Sequence, residues 1–153
     1  MRAPTRGPGT AAGWATAAML AALATVFLSC QTQSPEQVLL KSAEPVASWL
    51  ATLRMTSEKW AANSAPSRFV RSTAQAADDS FEQAERDAEK GEASPAVREP
   101  FHRLFADSRS ACDQLRRAAV ADDRAAALPI ARRLAALQAE LAALRKANGE
   151  PTS

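Results

Sequence analysis

With 153 residues, 46 % of them hydrophobic and 24 % charged, the chain has the length and apolar content of one folded domain and not of a disordered tail. Nineteen Lys and Arg against seventeen Asp and Glu leave a formal net charge of +2, without the strong basic excess of a nucleic-acid binder, so no nucleic acid is expected as a partner. Tyrosine is absent and alanine abundant, which speaks against a strand-rich fold.

Residues 11–30, AAGWATAAMLAALATVFLSC, carry no charge and come after Arg2 and Arg6. A positive start, a short apolar core and a small-residue end are the layout of a secretory signal. Pro8 and Gly9 break regular structure ahead of the run. Its length is near the lower limit of the ~17–25 residues that cross a bilayer, so an uncleaved anchor is the alternative reading. The run closes on Phe27-Leu28-Ser29-Cys30. This tetrapeptide resembles the lipobox of bacterial lipoproteins in Ser29 and Cys30, and departs from it in having Phe27 where Leu is commonest and bulky Leu28 next. The resemblance covers this terminus alone. It implies a diacylglycerol on the Cys30 sulfur, cleavage before that residue and acylation of the new amine. The chain then divides into a signal peptide (1–29), a lipidated cysteine with a short tether (30–34), a helical domain (35–149) and a tail (150–153). Each buried methylene of an acyl chain contributes ~0.8 kcal/mol, and several chains together hold a protein firmly at a bilayer. Gln31, where inner-membrane lipoproteins of Gram-negative bacteria carry Asp, implies an outer-membrane protein on the periplasmic side.

Loss of residues 1–29 removes two arginines and no acid, leaving a mature chain of balanced charge. Its length suits one core that buries on the order of 65 % of the unfolded surface. With the Cys30 sulfur acylated, Cys112 has no partner within the chain; its place on an apolar stripe points to a buried thiol.

Ser34-Pro35-Glu36-Gln37 opens the first helix with a capping box and a proline in the first turn. Leu39, Val46, Leu50, Leu53 and Trp60 recur at helical spacing, with Trp49 beside them, so the first helix is placed at 35–62. Pro45 is expected to kink it or split it near Glu44. A turn at Asn63-Ser64-Ala65-Pro66 leads to a second stripe, Phe69, Val70, Thr73, Ala77, Phe81, Ala84 and Ala88, ending at Gly91 as a C-terminal glycine stop. Asp78, Asp79, Glu82, Glu85, Asp87 and Glu89 make its outer face acidic. Ser94-Pro95 or Glu99-Pro100 opens a third helix, buried through Val97, Phe101, Leu104, Phe105, Ser108, Ala111, Cys112, Leu115 and Ala119. Asp122-Asp123 is expected to cap a fourth, with Pro129 in its first two turns and a heptad seam of Ile130, Leu134, Leu137, Leu141 and Leu144, closed by Asn148-Gly149. Four amphipathic helices with short connections predict an all-α, up-down four-helix bundle; a dimer of long hairpins is the alternative. The acidic second helix and the arginine-rich third and fourth should be neighbours, at only ~0–1 kcal/mol per exposed pair.

No catalytic constellation emerges. His102 is the only histidine and falls about 120° off the third helix's buried stripe, on a flank. Serines lack a G-x-S-x-G setting, no glycine-rich phosphate loop exists, and the missing C-x-x-C-H pattern excludes covalent haem. A bundle holding haem through Met55 and His102, or a metal or small apolar molecule, is the alternative function; no cofactor is expected. Trp49 and Trp60 read first as core, with Trp60, Pro66 and Phe69 forming a corner in which the aromatics close over the proline. Trp49, Trp60, Arg116 and Arg117 are the candidate interaction residues, for an unidentified protein partner or a second copy. The expectation is therefore a non-enzymatic, lipid-anchored envelope protein whose site residue is Cys30.

Overall fold

A computed structural model describes residues 34–149; Cys30, the stretch before it and residues 150–153 lie outside the described part. The described chain is four helices: α1 (Pro35–Ala61), α2 (Ser67–Glu89), α3 (Pro95–Val120) and α4 (Ala127–Ala147), with a short 3-10 turn at Arg124–Ala126 leading into α4. Each helix packs against its neighbours in sequence, and α4 returns to pack along α1, closing an up-down-up-down bundle within one chain. The hairpin-dimer alternative is thus not needed to cover the apolar faces. Among the described residues, no helix is long and apolar enough to cross a membrane.

The first helix starts as its sequence dictates. The Gln37 amide donates to Ser34 Oγ (3.2 Å), and the Ser34 amide donates back to Gln37 Oε1 (3.1 Å). Two orphan donors are satisfied at once while Pro35 occupies the position that needs no N–H. Of the two outcomes expected at Pro45, the split does not occur: α1 runs through it as one helix. Pro45 and Lys41, whose carbonyl the proline leaves without its usual partner, are both exposed, so solvent can take that carbonyl. Pro100 is likewise inside α3, which begins at Ser94-Pro95 and not at Glu99-Pro100.

The two turns at one end of the bundle, here the far end, share a device. Asn63 (φ 59°) closes α1 and Asp122 (φ 51°) closes α3, the only non-glycine residues with positive φ among those described. Ser64 N–H donates to the Lys59 carbonyl (2.8 Å), and Asp123 N–H to the Ala118 carbonyl (2.9 Å). These are Schellman closures built on Asn and Asp, the side chains that best tolerate the left-handed region. Asp122-Asp123 therefore ends α3 and does not cap α4: neither Asp123 nor Ala126 makes a side-chain cap bond. At the opposite, near end, where Ser34 opens α1, Gly91 has no positive φ. A Cβ there would lie 3.6 Å from the Pro35 carbonyl and 3.7 Å from Val38 Cγ1, ordinary contact distances, so this glycine is not a left-handed stop and a side chain as small as alanine's fits in its place.

The core joins the stripes of all four helices. Trp60, Phe81, Phe101, Phe105, Leu50, Leu53, Leu115 and Leu134 are fully buried, and Phe101 meets Phe105 edge-on with centroids 6.3 Å apart. Alanines fill the α2 seam at Ala74, Ala77, Ala84 and Ala88, which lets α2 lie close to its neighbours. Buried Ser42, Ser57 and Ser108 donate to the carbonyls of Leu39, Leu53 and Leu104 at 2.7–2.8 Å, so none is an unsatisfied polar group. Cys112 is a free, buried thiol, as its stripe position indicated. Phe69, by contrast, leaves the predicted stripe and is 52 % exposed.

Phe81 and Phe69 offer a matched test of this assignment. Phe81→Ala should destabilise by ~3–5 kcal/mol through the cavity it opens. Phe69→Ala should change stability by less than about 0.5 kcal/mol, both read from urea unfolding monitored by circular dichroism.

Candidate functional site

The densest side-chain network lies at the far end, where the α1–α2 and α3–α4 turns meet. Trp60 Nε1 donates to Ser67 Oγ (3.1 Å), and the Ser67 hydroxyl donates to Asp122 Oδ1 (2.5 Å). Arg124 completes the circuit. Its Nη1 donates to the Trp60 carbonyl (3.1 Å), its Nε stands 3.5 Å from Asp122 Oδ1, and its guanidinium carbon lies 5.8 Å from the centre of the Trp60 ring. The left-handed conformation of Asp122 aims its carboxylate at Ser67, 55 residues earlier in the chain. Trp60 is thus core, but its corner is not closed by aromatics over Pro66: Pro66 and Phe69 are exposed, and Ser67, Asp122 and Arg124 hold the indole instead. Trp49 is half-buried and packs against the core from its edge.

A second cluster lies across the α2–α3 interface. Arg109 reaches Asp78 (3.1 Å) and Glu85 (3.3 Å), and the hydrogen bond it donates to Asp78 chiefly raises its pKa, against burial, which lowers it. Arg116 and Arg117 both pair with Asp113 of their own helix, and Arg116 also donates to Gln75 of α2 (3.1 Å). Acidic α2 and arginine-rich α3 are neighbours as expected, their contact passing mainly through Arg109, a residue the sequence did not single out, whereas α4, also expected beside α2, packs on α1 and α3 and not on α2. Beneath this cluster, burial pushes the Cys112 thiol up to about 12, with the Asp78 charge acting in the same direction and Arg109 and Arg116 opposing it. On the α3–α4 side Arg133 donates to Asp107 (3.2 Å).

His102 lies on the flank of α3, as its register implied, in an open cleft with Glu89, Pro95, Arg98 and Glu99. Met55 is exposed and belongs to the far half of α1, whereas His102 belongs to the near half of α3. From the helical rise the two are about 20 Å apart along the axis, too far to bracket one iron. Among the described residues, no group of three or more His, Cys, Asp or Glu side chains could hold a metal ion. Cys30, the predicted lipidation site, lies outside the described residues.

No protein-family model, no curated protein and no solved structure matches this chain.

The network and the thiol each give a measurable expectation. In a double-mutant cycle, Ser67→Ala and Asp122→Ala should show a coupling of about 1 kcal/mol in urea-unfolding stability, whereas Ser72→Ala paired with Asp122→Ala should show none. Because the folded thiol pKa lies above its ordinary 9.0, Cys112 contributes stability that is complete below about pH 9 and is lost as pH rises towards 12. At pH 8 the folded chain should react with Ellman's reagent at Cys112 at least ~100-fold more slowly than the urea-unfolded chain, since the thiolate is the nucleophile.

Proposed function

We propose that this is a lipid-anchored cell-envelope protein that holds a helical bundle near a membrane surface and serves a non-catalytic interaction role. The observation that carries this reading is Cys30 at the end of an uncharged, alanine- and leucine-rich run preceded by two arginines. The bundle's start supports it. Helix α1 is fixed from Ser34 by its capping box, so only three residues separate Cys30 from that cap. Four residue steps span at most ~14 Å, which would keep the near end of the bundle close to the headgroups.

The side chains of the bundle support a binding role over a catalytic one. The buried polar groups Ser42, Ser57 and Ser108 are spent on helix carbonyls, and the Trp60, Ser67, Asp122 and Arg124 circuit is occupied by its own members. The free surface is offered as shape and charge: half-exposed Arg116 and Arg117 on α3, the edge of Trp49 on α1, and exposed apolar side chains at the far end.

Labelling with a radioactive or alkynyl fatty acid in the producing bacterium, with intact-mass measurement of the product, tests the anchor. The parent chain should take up label, sediment with membranes and begin at an acylated Cys30; Cys30→Ser should lose both label and membrane association. Equal labelling of the variant and the parent, or an unmodified polypeptide beginning at Met1, overturns the proposal.

A further inference from the structure

The charge of the bundle is divided along its axis. The far-end halves of the helices, residues 49–78 and 108–137, hold ten Lys and Arg against five Asp and Glu. The remaining described residues, towards the near end, hold seven against eleven. Internal pairing does not erase the division. In the far half, Lys59, Arg68, Arg71 and Arg132 make no ion pair with any described residue, and Asp123 is the one acid there that makes none.

Apolar exposure has the same division. Among the described residues, the exposed large hydrophobic side chains are Met55, Phe69, Val120 and Leu128, and all four belong to the far half. Met55 and Leu128 each precede an unpaired base by four residues, Lys59 and Arg132, which places apolar and basic side chains on one helical face. Arg68 directly precedes Phe69, whereas Arg71 is one heptad before Asp78 and lies on the α3 side of α2.

The start of α2 also runs against its own stability. Its first turn carries Arg68 and no acid, and its N-cap, Pro66, makes no side-chain bond. Positive charge at a helix N-terminus opposes the macrodipole, and an exposed phenylalanine in the same turn gains nothing from burial. A stretch that breaks the local rules of charge and polarity together is where a surface serves something other than the fold.

Helical register completes the face. Val38, Lys41 and Pro45 of α1 and Ser80, Gln83 and Asp87 of α2 line the groove between these helices near the near end. Lys59 lies two heptads on from Pro45, and Phe69 two heptads back from Gln83, so both continue the walls of that groove at the far end.

We infer that the far-end face of α1 and α2, built by Met55, Lys59, Arg68 and Phe69, is a docking surface for an acidic amphipathic protein segment. This names the partner class for the interaction role proposed above and rests on that reading. Two apolar side chains beside an interhelical groove suit a segment that presents apolar residues at helical spacing, and the flanking bases suit its carboxylates. Two unpaired bases are few for a nucleic acid, whose binding draws on many phosphate contacts. With Cys30 only four residues before Ser34, the proposed anchor would hold the near end at the bilayer and leave this face at the other end of the bundle.

The test uses the full chain, purified in detergent, and a fluorescein-labelled 18-residue helical peptide of Glu and Leu at amphipathic spacing, read by fluorescence anisotropy. The peptide should bind, and the same peptide with Gln for Glu should bind at least ~10-fold more weakly. Phe69→Ala and Lys59→Glu/Arg68→Glu should each weaken binding about 10-fold or more while thermal melting does not fall, and Lys41→Glu at the other end of the groove should not weaken it. Equal binding of the Gln peptide, indifference to Phe69→Ala, or tighter and equally mutation-sensitive binding to duplex DNA or to phosphatidylglycerol vesicles overturns the inference. The Cys30→Ser chain should bind the peptide as the parent does, so failure of the anchor and failure of the docking face are read separately.

Discussion

Two helical hairpins packed through leucine and alanine slide past one another at little cost unless something fixes their axial register, and in this bundle Trp60 does so. Its ring fills the core at the far end, its N–H is held by Ser67 from the second helix, and Arg124 covers it from the third connection. The carboxylate of Asp122 joins the donors. One large, directional side chain thus ties the α1–α2 turn to the α3–α4 turn, a register that the small α2 seam of Ala74, Ala77 and Ala84 specifies poorly by shape alone. The cost is two backbone residues in the left-handed region, Asn63 and Asp122. The Schellman bonds and the Ser67 contact offset it.

The helices and the interior were legible because each signal was local or periodic. The capping box at Ser34 and Gln37 and the stripes through Leu50, Phe81, Leu115 and Leu134 depend only on spacing within one helix. The misreadings have a common origin in residues whose role depends on a distant segment or on solvent. Pro45 reads as a kink or a split, and the split is avoided because its exposed side leaves water free to serve the Lys41 carbonyl. Asp122 reads as a cap for α4, yet it closes α3 and bonds a serine 55 residues away. Phe69 reads as core because its helix start was set by hydrophobicity, and register then carries it to a flank. Arg109 left no mark in the sequence, since nothing local distinguishes it from the other arginines of α3. Asp78 and Glu85 stand one heptad apart on the same face of α2, and weighing that pair against each α3 arginine in turn could have found it.

Cys30 and the bundle are linked by sequence alone, and the distribution of charge gives the proposed anchor a physical consequence. A bundle tethered by its near end would set its acidic half towards the headgroups and its basic half away from them. Against an anionic leaflet the near half is repelled over about a Debye length, ~8 Å at physiological ionic strength, a distance comparable to the tether itself. Repulsion of one half and attraction of the other act in opposite senses on tilt: laying the bundle on its α1–α2 side would bring Lys59 and Arg68 down to the surface. Raised salt weakens both effects, leaving the short tether as the remaining constraint.

That competition makes the apolar residues of the far end decisive. If Lys59 and Arg68 acted alone, any anionic surface would satisfy them, the membrane of the proposed anchor included. Phe69 and Met55 add an apolar term that phosphate headgroups do not meet, and a lipid surface meets it only by taking these side chains into its acyl boundary. A carboxylate-bearing segment that also brings apolar side chains gains from both terms without that insertion. Selectivity between the two then resides in the pairing of aromatic and basic side chains within the first two turns of α2, the same turns in which the helix departs from its own stability rules.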